Sequence, residues 1–559
     1  MSVKNQIVLS DGRILKKNES VILTIDDMSE TGEGIGKAEG YTFFVKNAVS
    51  GDVVEAHITK LLKNYGYAKT KKIITPSPYR VTPACKNARP CGGCQLQELS
   101  YEGQLEFKYK KVKGHMERIA GMEEVTIFPV KGMKEAFHYR NKSQYPVQRG
   151  KDGQIVMGFY AGRTHSVIEA SDCLLNLGKD KEILEIIKGY METHHIAPYD
   201  EKSGKGIVRH VMIRYGKHTG QIMVCLVVTK NQLKANEELV KQLLKVEGMT
   251  SICLNINPAN TNVILGEKMV QLYGNDFIVD TIGDVQYRIS AKSFFQVNPD
   301  QTKVLYDTAL EYAGLTGNEV VWDLYCGIGT ISLFLAQKAK KVYGVEIVPA
   351  AIENANENAK LNGMENVEFF CGKAEQVLPR EYEEHQIYAD VIVTDPPRKG
   401  CEVEVLDTMV KMNPKRIVYV SCNSATLARD VKYLAEYGYR VEKVQPVDMF
   451  AQTVHVETVC LLSKLHEAKQ HVNVRLDMDE MDLTAAESKA TYEEIKKYVA
   501  EYNDGMKVSD LYIAQVKRKC GIELAENFNI PRSEGAKQPQ CPKEKEEAII
   551  GALKAFQMI

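Results

Sequence analysis

No stretch of this 559-residue chain is apolar for long enough to span a bilayer, and its first twenty residues, MSVKNQIVLSDGRILKKNES, lack the apolar core of a secretion signal. A membrane anchor is therefore not expected, and a cytoplasmic location is. A charge excess is missing too: 72 Lys and Arg stand against 73 Asp and Glu, a net charge of −1. That argues against a protein that coats nucleic acid by charge alone, yet permits a local basic face. Thirteen cysteines in a reducing compartment are expected to be free, metal-bound or reactive rather than joined in disulfides. The length predicts several domains with sizeable cores.

What is present begins with short alternating runs. Residues 20–74 read VILTIDDM, TGEGIGKAEG, YTFFVKNAV, SGDVVEAHITKLL and YGYAKTKKII, the pattern of a small β-barrel with glycine turns. Their order resembles a TRAM domain, an OB-like RNA-binding module. Residues 60–72 carry five lysines and no acid. Residues 131–151 hold Lys131, Lys134, Arg140, Lys142, Arg149 and Lys151 with Phe137, His138 and Tyr139 interleaved. Cations neutralise phosphates and aromatic faces stack on bases, so the two runs together favour an RNA-facing surface over an ordinary solvated one.

Between these runs lies a cysteine group. Cys85, Cys91 and Cys94 fall within ten residues, and Cys173 follows 79 positions beyond Cys94. Gly92 and Gly93 let the backbone turn tightly enough for two sulfurs to meet one metal centre. Four thiols suit tetrahedral zinc or an iron–sulfur cluster, and spacing does not decide between them. Residues 175–290 suggest an α+β domain: HVMIRY, GQIMVCLVVTK and MTSICLNINP read as strands, KDKEILEIIKGYMETH as a helix.

From residue 319, EVVWDLYCGIGTISLFLAQ reads as strand, glycine turn and helix, followed by a second strand and helix in KKVYGVEIVPAAIENANENAKLNG. Gly327 and Gly329 allow a ligand close to the turn. Glu346 ends the next strand 19 residues after Gly327, where an acid accepts hydrogen bonds from ribose hydroxyls. A nicotinamide-dinucleotide fingerprint needs a third glycine at 332, and Ser332 stands there. The run ADVIVTDPPRKG, a strand ending at Asp395-Pro396-Pro397, resembles class I S-adenosylmethionine-dependent nucleic-acid methyltransferases.

The apolar run Ile417–Val420 predicts a buried parallel strand that delivers Cys422 to the carboxyl edge of the sheet, where ligands of α/β folds collect. Thirty-five residues later Glu457 sits in HVETV, on a segment able to return beside the thiol. A thiol and a carboxylate in one cleft suit an electron-poor ring such as a pyrimidine: a nucleophile adds, then a proton leaves. Cys422 as a buried packing residue and Glu457 as a solvent-facing strand residue are the plainer alternatives. Cys225, Cys253, Cys326, Cys371, Cys401 and Cys460 read as packing residues.

From about residue 20 to 463 the chain resembles the bacterial 23S rRNA (uracil-5-)-methyltransferases. The resemblance is carried by the barrel, the four cysteines, YRNK at 139–142, FFQVN at 294–298, DLYCGIGT at 323–330, DPPRKG at 395–400, SCN at 421–423 and HVETV at 455–459. It implies S-adenosylmethionine held by Gln296, Tyr325, Glu346 and Asp395 around the turn of Gly327 and Gly329. It implies Cys422 as nucleophile, Glu457 as base, and a [4Fe–4S] cluster on Cys85, Cys91, Cys94 and Cys173, with zinc the less favoured metal. A cluster with four protein ligands has no open iron, so a structural or RNA-shaping role is expected. The implied partner is RNA, 23S rRNA in particular; the sequence does not fix the oligomeric state, and a monomer is the expectation. Two positions depart from the family pattern. Ser424 replaces the proline that usually follows SCN, so a looser turn is expected; Thr330 stands where some members have asparagine.

The expected architecture is an α/β class I methyltransferase domain (291–465) preceded by the TRAM barrel (1–78) and a central α+β domain with the cysteine site (79–290). A linker with three short helices (466–559) follows, its Ile513 and Val516 on one helix face. RNA binding, partner docking and simple packing all suit that appendage. Two other functions fit parts of the pattern: an iron–sulfur methylthiotransferase acting on tRNA, whose cluster needs an open iron, and a non-catalytic RNA-binding protein, which leaves SCN and HVETV unused.

Overall fold

The computed structural model describes residues 6–162, 164–231, 233–465, 492–503, 506–520 and 541–555. They fall into two compact units, Met1–His466 and Glu467–Ile559.

The first unit begins with a closed barrel whose spatial order is Ser20–Met28, Gly34–Ala38, Tyr41–Lys46, Tyr65–Thr75 and Val53–Leu61. Strict alternation drives its closure. Leu23, Ile25, Phe43, Val45, Val54, Ala56 and Ile58 all point inward and are buried. Each large apolar side chain so buried is worth about 1.5–3 kcal/mol.

A seven-stranded central sheet follows, ordered Val167–Glu169, Ile155–Tyr160, Lys142–Arg149, Val208–Tyr215, Ile222–Val228, Met249–Ile256 and Lys268–Gly274. Helices Asp180–Thr193 and Asn236–Leu243 cover one face through Ile183, Ile187 and Leu239 against Val211, Ile213 and Val224. The opposite face sends Met212, Cys225 and Cys253 into the core of the next sheet. Covered on both sides, Ile222–Val228 is apolar throughout, as its sequence anticipates.

That next sheet runs Val367–Cys371, Lys341–Glu346, Val320–Leu324, Val391–Thr394, Arg416–Ser421, Glu457–Lys464 and Tyr439–Val447. The first five strands are parallel, and the last two are antiparallel to their neighbours. Strand order therefore reverses between Val320–Leu324 and Val391–Thr394, the place where open α/β sheets bind ligands.

Helix Tyr101–His115, capped by the Ser100 hydroxyl on the Gly103 amide at 3.2 Å, has an unusual inward face. Gln104, Lys108, Lys111 and His115 succeed one another at three- and four-residue steps. Lys108 and Asp448 form an ion pair at 2.5 Å, and neither is exposed at all.

The second unit contains helices Tyr492–Tyr502, Asp510–Lys519 and Lys543–Ala555. Ile513 and Val516 do share a buried face, together with Ile495, Val499, Ile549 and Leu553. The expected linker after residue 465 lies outside the described residues. No helix among the described residues is long and apolar enough to cross a membrane.

Candidate active site

A cavity of about 1020 Å³ opens at the carboxyl ends of the parallel strands, at the reversal point. Each strand end contributes a group. Tyr325 and Gly327 follow Val320–Leu324; Glu346 ends Lys341–Glu346; Asp395 and Arg398 follow Val391–Thr394; Cys422 follows Arg416–Ser421. Glu457 comes from the start of an antiparallel strand, which for that reason reaches the same edge. Gln296 closes the wall from the segment before helix Pro299–Ala313.

Seven of the eight expected cofactor and reaction residues line this one cavity. Gly329 does not. It caps helix Thr330–Ala336 with φ 80°, and a Cβ there would stand 3.0 Å from the Phe369 ring and 3.2 Å from Ala355. Gly327, at φ 56°, has open space where a Cβ would be. The two glycines thus serve different needs: Gly327 leaves the cavity free, and Gly329 lets the helix sit on its neighbours.

Hydrogen bonds fix the wall. Glu346 accepts from the Gly327 amide at 3.3 Å and the Val348 amide at 2.9 Å, which aims its carboxylate across the turn. Thr330 accepts from Tyr306 Oη at 2.8 Å. Ser332, where a third glycine is missing, donates to the buried Asp323 at 2.5 Å. Asn423 caps helix Ser424–Glu436 through the Ala425 amide at 3.1 Å and donates to the Arg398 carbonyl at 3.1 Å. The turn after SCN is not loose: Ser424 is 1% exposed and bonded to His115 Nδ1 at 2.8 Å.

Electrostatically the far end is an acidic, dry corner. Burial pushes the Cys422 thiol up to about 11; Glu457 and Asp395 push the same way, and Arg398 opposes them. Burial and the neighbouring Asp395 raise Glu457, again against Arg398, and burial raises Asp395 itself. Arg398 acts on the thiol, while its neighbour Lys399 is ion-paired with Glu402. His455 is held down to about 4 by burial and the surrounding cations, so it is neutral at ordinary pH.

Three lining residues carry no signal that sequence reasoning weighs. Phe294 (70% exposed) stands at the cavity beside Gln296; Phe450 and His455 meet edge to face at 6.2 Å. Phe294 and His455 fall inside FFQVN and HVETV, so proximity to those motifs is the clue available.

The four cysteines lie away from the cavity lining. All are free thiols. Cys94 is pushed up to about 12, chiefly by burial and then by Cys173, Cys91 and Cys85, so the four share one neighbourhood. The Asn87 and Gly93 amides donate to Cys85 and Cys91 sulfur, both at 3.4 Å. Yet among the described residues no three His, Cys, Asp or Glu side chains are placed to hold a metal ion. The thiols as they stand do not form one ion's coordination sphere, and the expected metal site gains no support from the geometry.

The strand order, with a cavity at its reversal point, defines a class I S-adenosylmethionine-dependent methyltransferase. The model of the family described as tRNA (Uracil-5-)-methyltransferase matches residues 100–465, and that of the TRAM domain residues 16–71. The chain belongs to the tRNA (uracil-5-)-methyltransferase family, and it is an S-adenosylmethionine-dependent RNA methyltransferase. An uncharacterized RNA methyltransferase of Bacillus cereus is 49% identical over 454 residues, 81% of this chain and 98% of that one. One from Clostridium tetani is 50% identical over 457 residues, 82% and 99% respectively. Among solved structures, the Pyrococcus abyssi tRNA (uracil-54, C5)-methyltransferase in complex with S-adenosyl-L-homocysteine is 28% identical. It aligns with a TM-score of 0.63 over 79% of this chain and 100% of that one. Nothing in these likenesses points to a methylthiotransferase.

Proposed function

We propose that the enzyme methylates carbon 5 of a uridine in RNA through a transient bond between Cys422 and carbon 6. The observation that carries this reading is that Cys422, Glu457 and Asp395 line one cavity near enough to act on one another, while Glu346, suited to a ribose, ends a strand three places from the Cys422 strand in the sheet.

S-adenosylmethionine, when bound, supplies a methyl made electrophilic by its sulfonium. Glu346 would accept from the ribose hydroxyls. Gln296, Tyr325 and Asp395 would hold the remainder, with Gly327 leaving room and Gly329 setting the turn. Cys422 sulfur adds to carbon 6, and the π pair of the ring moves to carbon 5 and the carbonyl oxygen. Carbon 5 would then take the methyl as the methyl–sulfur bond breaks, its electron pair staying on the departing thioether. Glu457 removes the proton left on carbon 5, the ring double bond re-forms, and the Cys422 thiolate is expelled. A carboxylate held above its usual range is a stronger base than one in water, which suits this step. Arg398 lowers the cost of the thiolate. The uridine must leave its stack to reach the thiol, at roughly a few kcal/mol; the barrel and the exposed cations Lys134, Arg149 and Lys151 would offset this by gripping RNA, whereas Tyr139 and Lys142 of the same stretch turn inward.

RNA carrying 5-fluorouridine tests the reading, because fluorine cannot leave as a proton does. A stable protein–RNA adduct should form with S-adenosylmethionine and vanish in Cys422→Ala. An active preparation that gives no adduct overturns it.

The target in this reading is 23S rRNA, supported by the resemblance of the four-cysteine and TRAM arrangement. The Pyrococcus abyssi relative, named for tRNA uracil-54, favours tRNA as the second reading. Mapping 5-methyluridine in rRNA and tRNA of a strain lacking the gene separates them. On the resemblance, Cys85, Cys91, Cys94 and Cys173 would hold a [4Fe–4S] cluster with a role in shaping the RNA-facing surface, zinc being the alternative that four thiols suit as well. Iron and acid-labile sulfide content of anaerobically purified protein decides this.

A further inference from the structure

Helix Tyr101–His115 ends on a residue that touches two distant parts of the molecule. His115 Nε2 lies 3.1 Å from Glu30 Oε1, in the turn between barrel strands Ser20–Met28 and Gly34–Ala38. Its Nδ1 lies 2.8 Å from Ser424 Oγ, two residues past Cys422. In the tautomer with Nε2–H donating to the carboxylate, Nδ1 accepts from the serine hydroxyl. Lys111, one turn earlier, binds the same Glu30 at 2.9 Å and donates to the Val454 carbonyl at 3.2 Å.

The same face holds the segment that leads to Glu457. Lys108 Nζ binds Asp448 at 2.5 Å and the Phe450 carbonyl at 3.1 Å. Gln104 accepts from the Gln452 amide at 2.8 Å and donates to its side chain at 3.0 Å. One helix thus grips both arms of the cavity corner and, through Glu30, the barrel. Ser424 opens its helix at the first position, and the side chain of Asn423, between it and Cys422, donates to the Arg398 carbonyl. The Cys422 turn is consequently fixed from both sides.

We propose that His115 and Ser424 are positioning residues for Cys422, and that Glu30 joins their contact to the TRAM barrel. This rests on the reading of Cys422 as nucleophile. Neither residue lines the cavity. Their effect is on where the sulfur stands, and a misplacement well under an ångström is felt in the rate of bond formation.

The test is the rate of adduct formation with 5-fluorouridine RNA, measured on the full chain beside the KM for each substrate. His115→Ala and Ser424→Ala should each slow adduct formation about tenfold, with both KM values within about twofold of the parent. The double variant should be no slower than either single one, because one contact is lost in all three. Proline is at home in the first position of a helix and fixes φ there, so Ser424→Pro placed in the His115→Ala chain should restore much of the rate. Exposed Glu30, changed to Gln, should reproduce the loss in part, and its folding is not at issue. Unchanged rates in the single variants, additive losses, or no rescue by proline would overturn the proposal. Should Cys422→Ala retain the adduct, the nucleophile reading itself fails; should only the other variants behave as the parent, this inference alone fails.

Discussion

Cys422 and Glu457 stand at adjoining positions one rung beyond the antiparallel pair Ser421–Thr458. A single residue of slip in that ladder would turn the carboxylate to the other face. The pairing of thiol and carboxylate is therefore set by backbone register, and the deeply buried Val420–Val459 rung beside it holds that register firm.

Glu457→Gln should leave addition and methyl transfer possible but block loss of the carbon-5 proton. Turnover is expected to fall about 10²- to 10⁴-fold. A methylated protein–RNA adduct should accumulate on ordinary uridine RNA, visible as a shifted band or by mass spectrometry. Loss of activity with no adduct would assign Glu457 a different step.

The pH dependence has a definite sign. Glu457 is raised to about 8 and Cys422 to about 11, so the ionised forms that the proposed mechanism uses as base and nucleophile grow as pH rises. The rate should climb from pH 6 to 9 and show no plateau in the usual carboxylate range. Arg398 pulls both groups down, so Arg398→Met should move the climbing limb to higher pH. An unmoved limb would mean that Arg398 does not act on either group during turnover.

Asp323 supplies a stability prediction. Burial raises its carboxyl from 3.8 to about 7, and its Oδ1 is buried without a partner. A group raised on folding contributes stability that is complete below the unfolded value and is lost as pH rises through the folded one. Asp323→Asn, neutral at all pH, should therefore gain on the parent between pH 4 and 8, by an amount on the order of a few kcal/mol. Thermal midpoints across that range check it, and a difference independent of pH would contradict it.

The buried pair Lys108–Asp448 should be costly to halve. Lys108→Met leaves an unpaired carboxylate that also accepts from Tyr101 Oη at 2.8 Å, and should destabilise the chain by about 3–5 kcal/mol. Lys108→Met with Asp448→Asn should recover much of that loss. Equal losses in the single and double variants, measured by thermal melting, would show that the pair itself contributes little.

The sheet and its cavity were legible because strand runs such as Ile417–Val420 are apolar on both faces and end on chemistry-bearing residues. Tyr325, Glu346, Asp395 and Cys422 each sit at or just past a strand end, where sequence position translates directly into place. Helix Tyr101–His115 was not legible. Its gripping face is Gln104, Lys108, Lys111 and His115, polar residues that no apolar period marks, and the cavity-corner groups they hold lie more than 300 residues away in sequence. The same reason hides Phe450. Gly327 and Gly329 look alike in sequence, and only the nearness of Phe369 and Ala355 separates them. The cysteine spacing described a ligand set but carried no distances, and distances are what a coordination sphere requires.

The barrel at the start of the chain closes on itself, Ser20–Met28 hydrogen-bonding to Val53–Leu61. It has no open margin at which another molecule's backbone could be zipped on as an added strand. Any grip it exerts on a ribose-phosphate chain must come from side chains and turns, which can be altered one residue at a time without undoing the scaffold beneath.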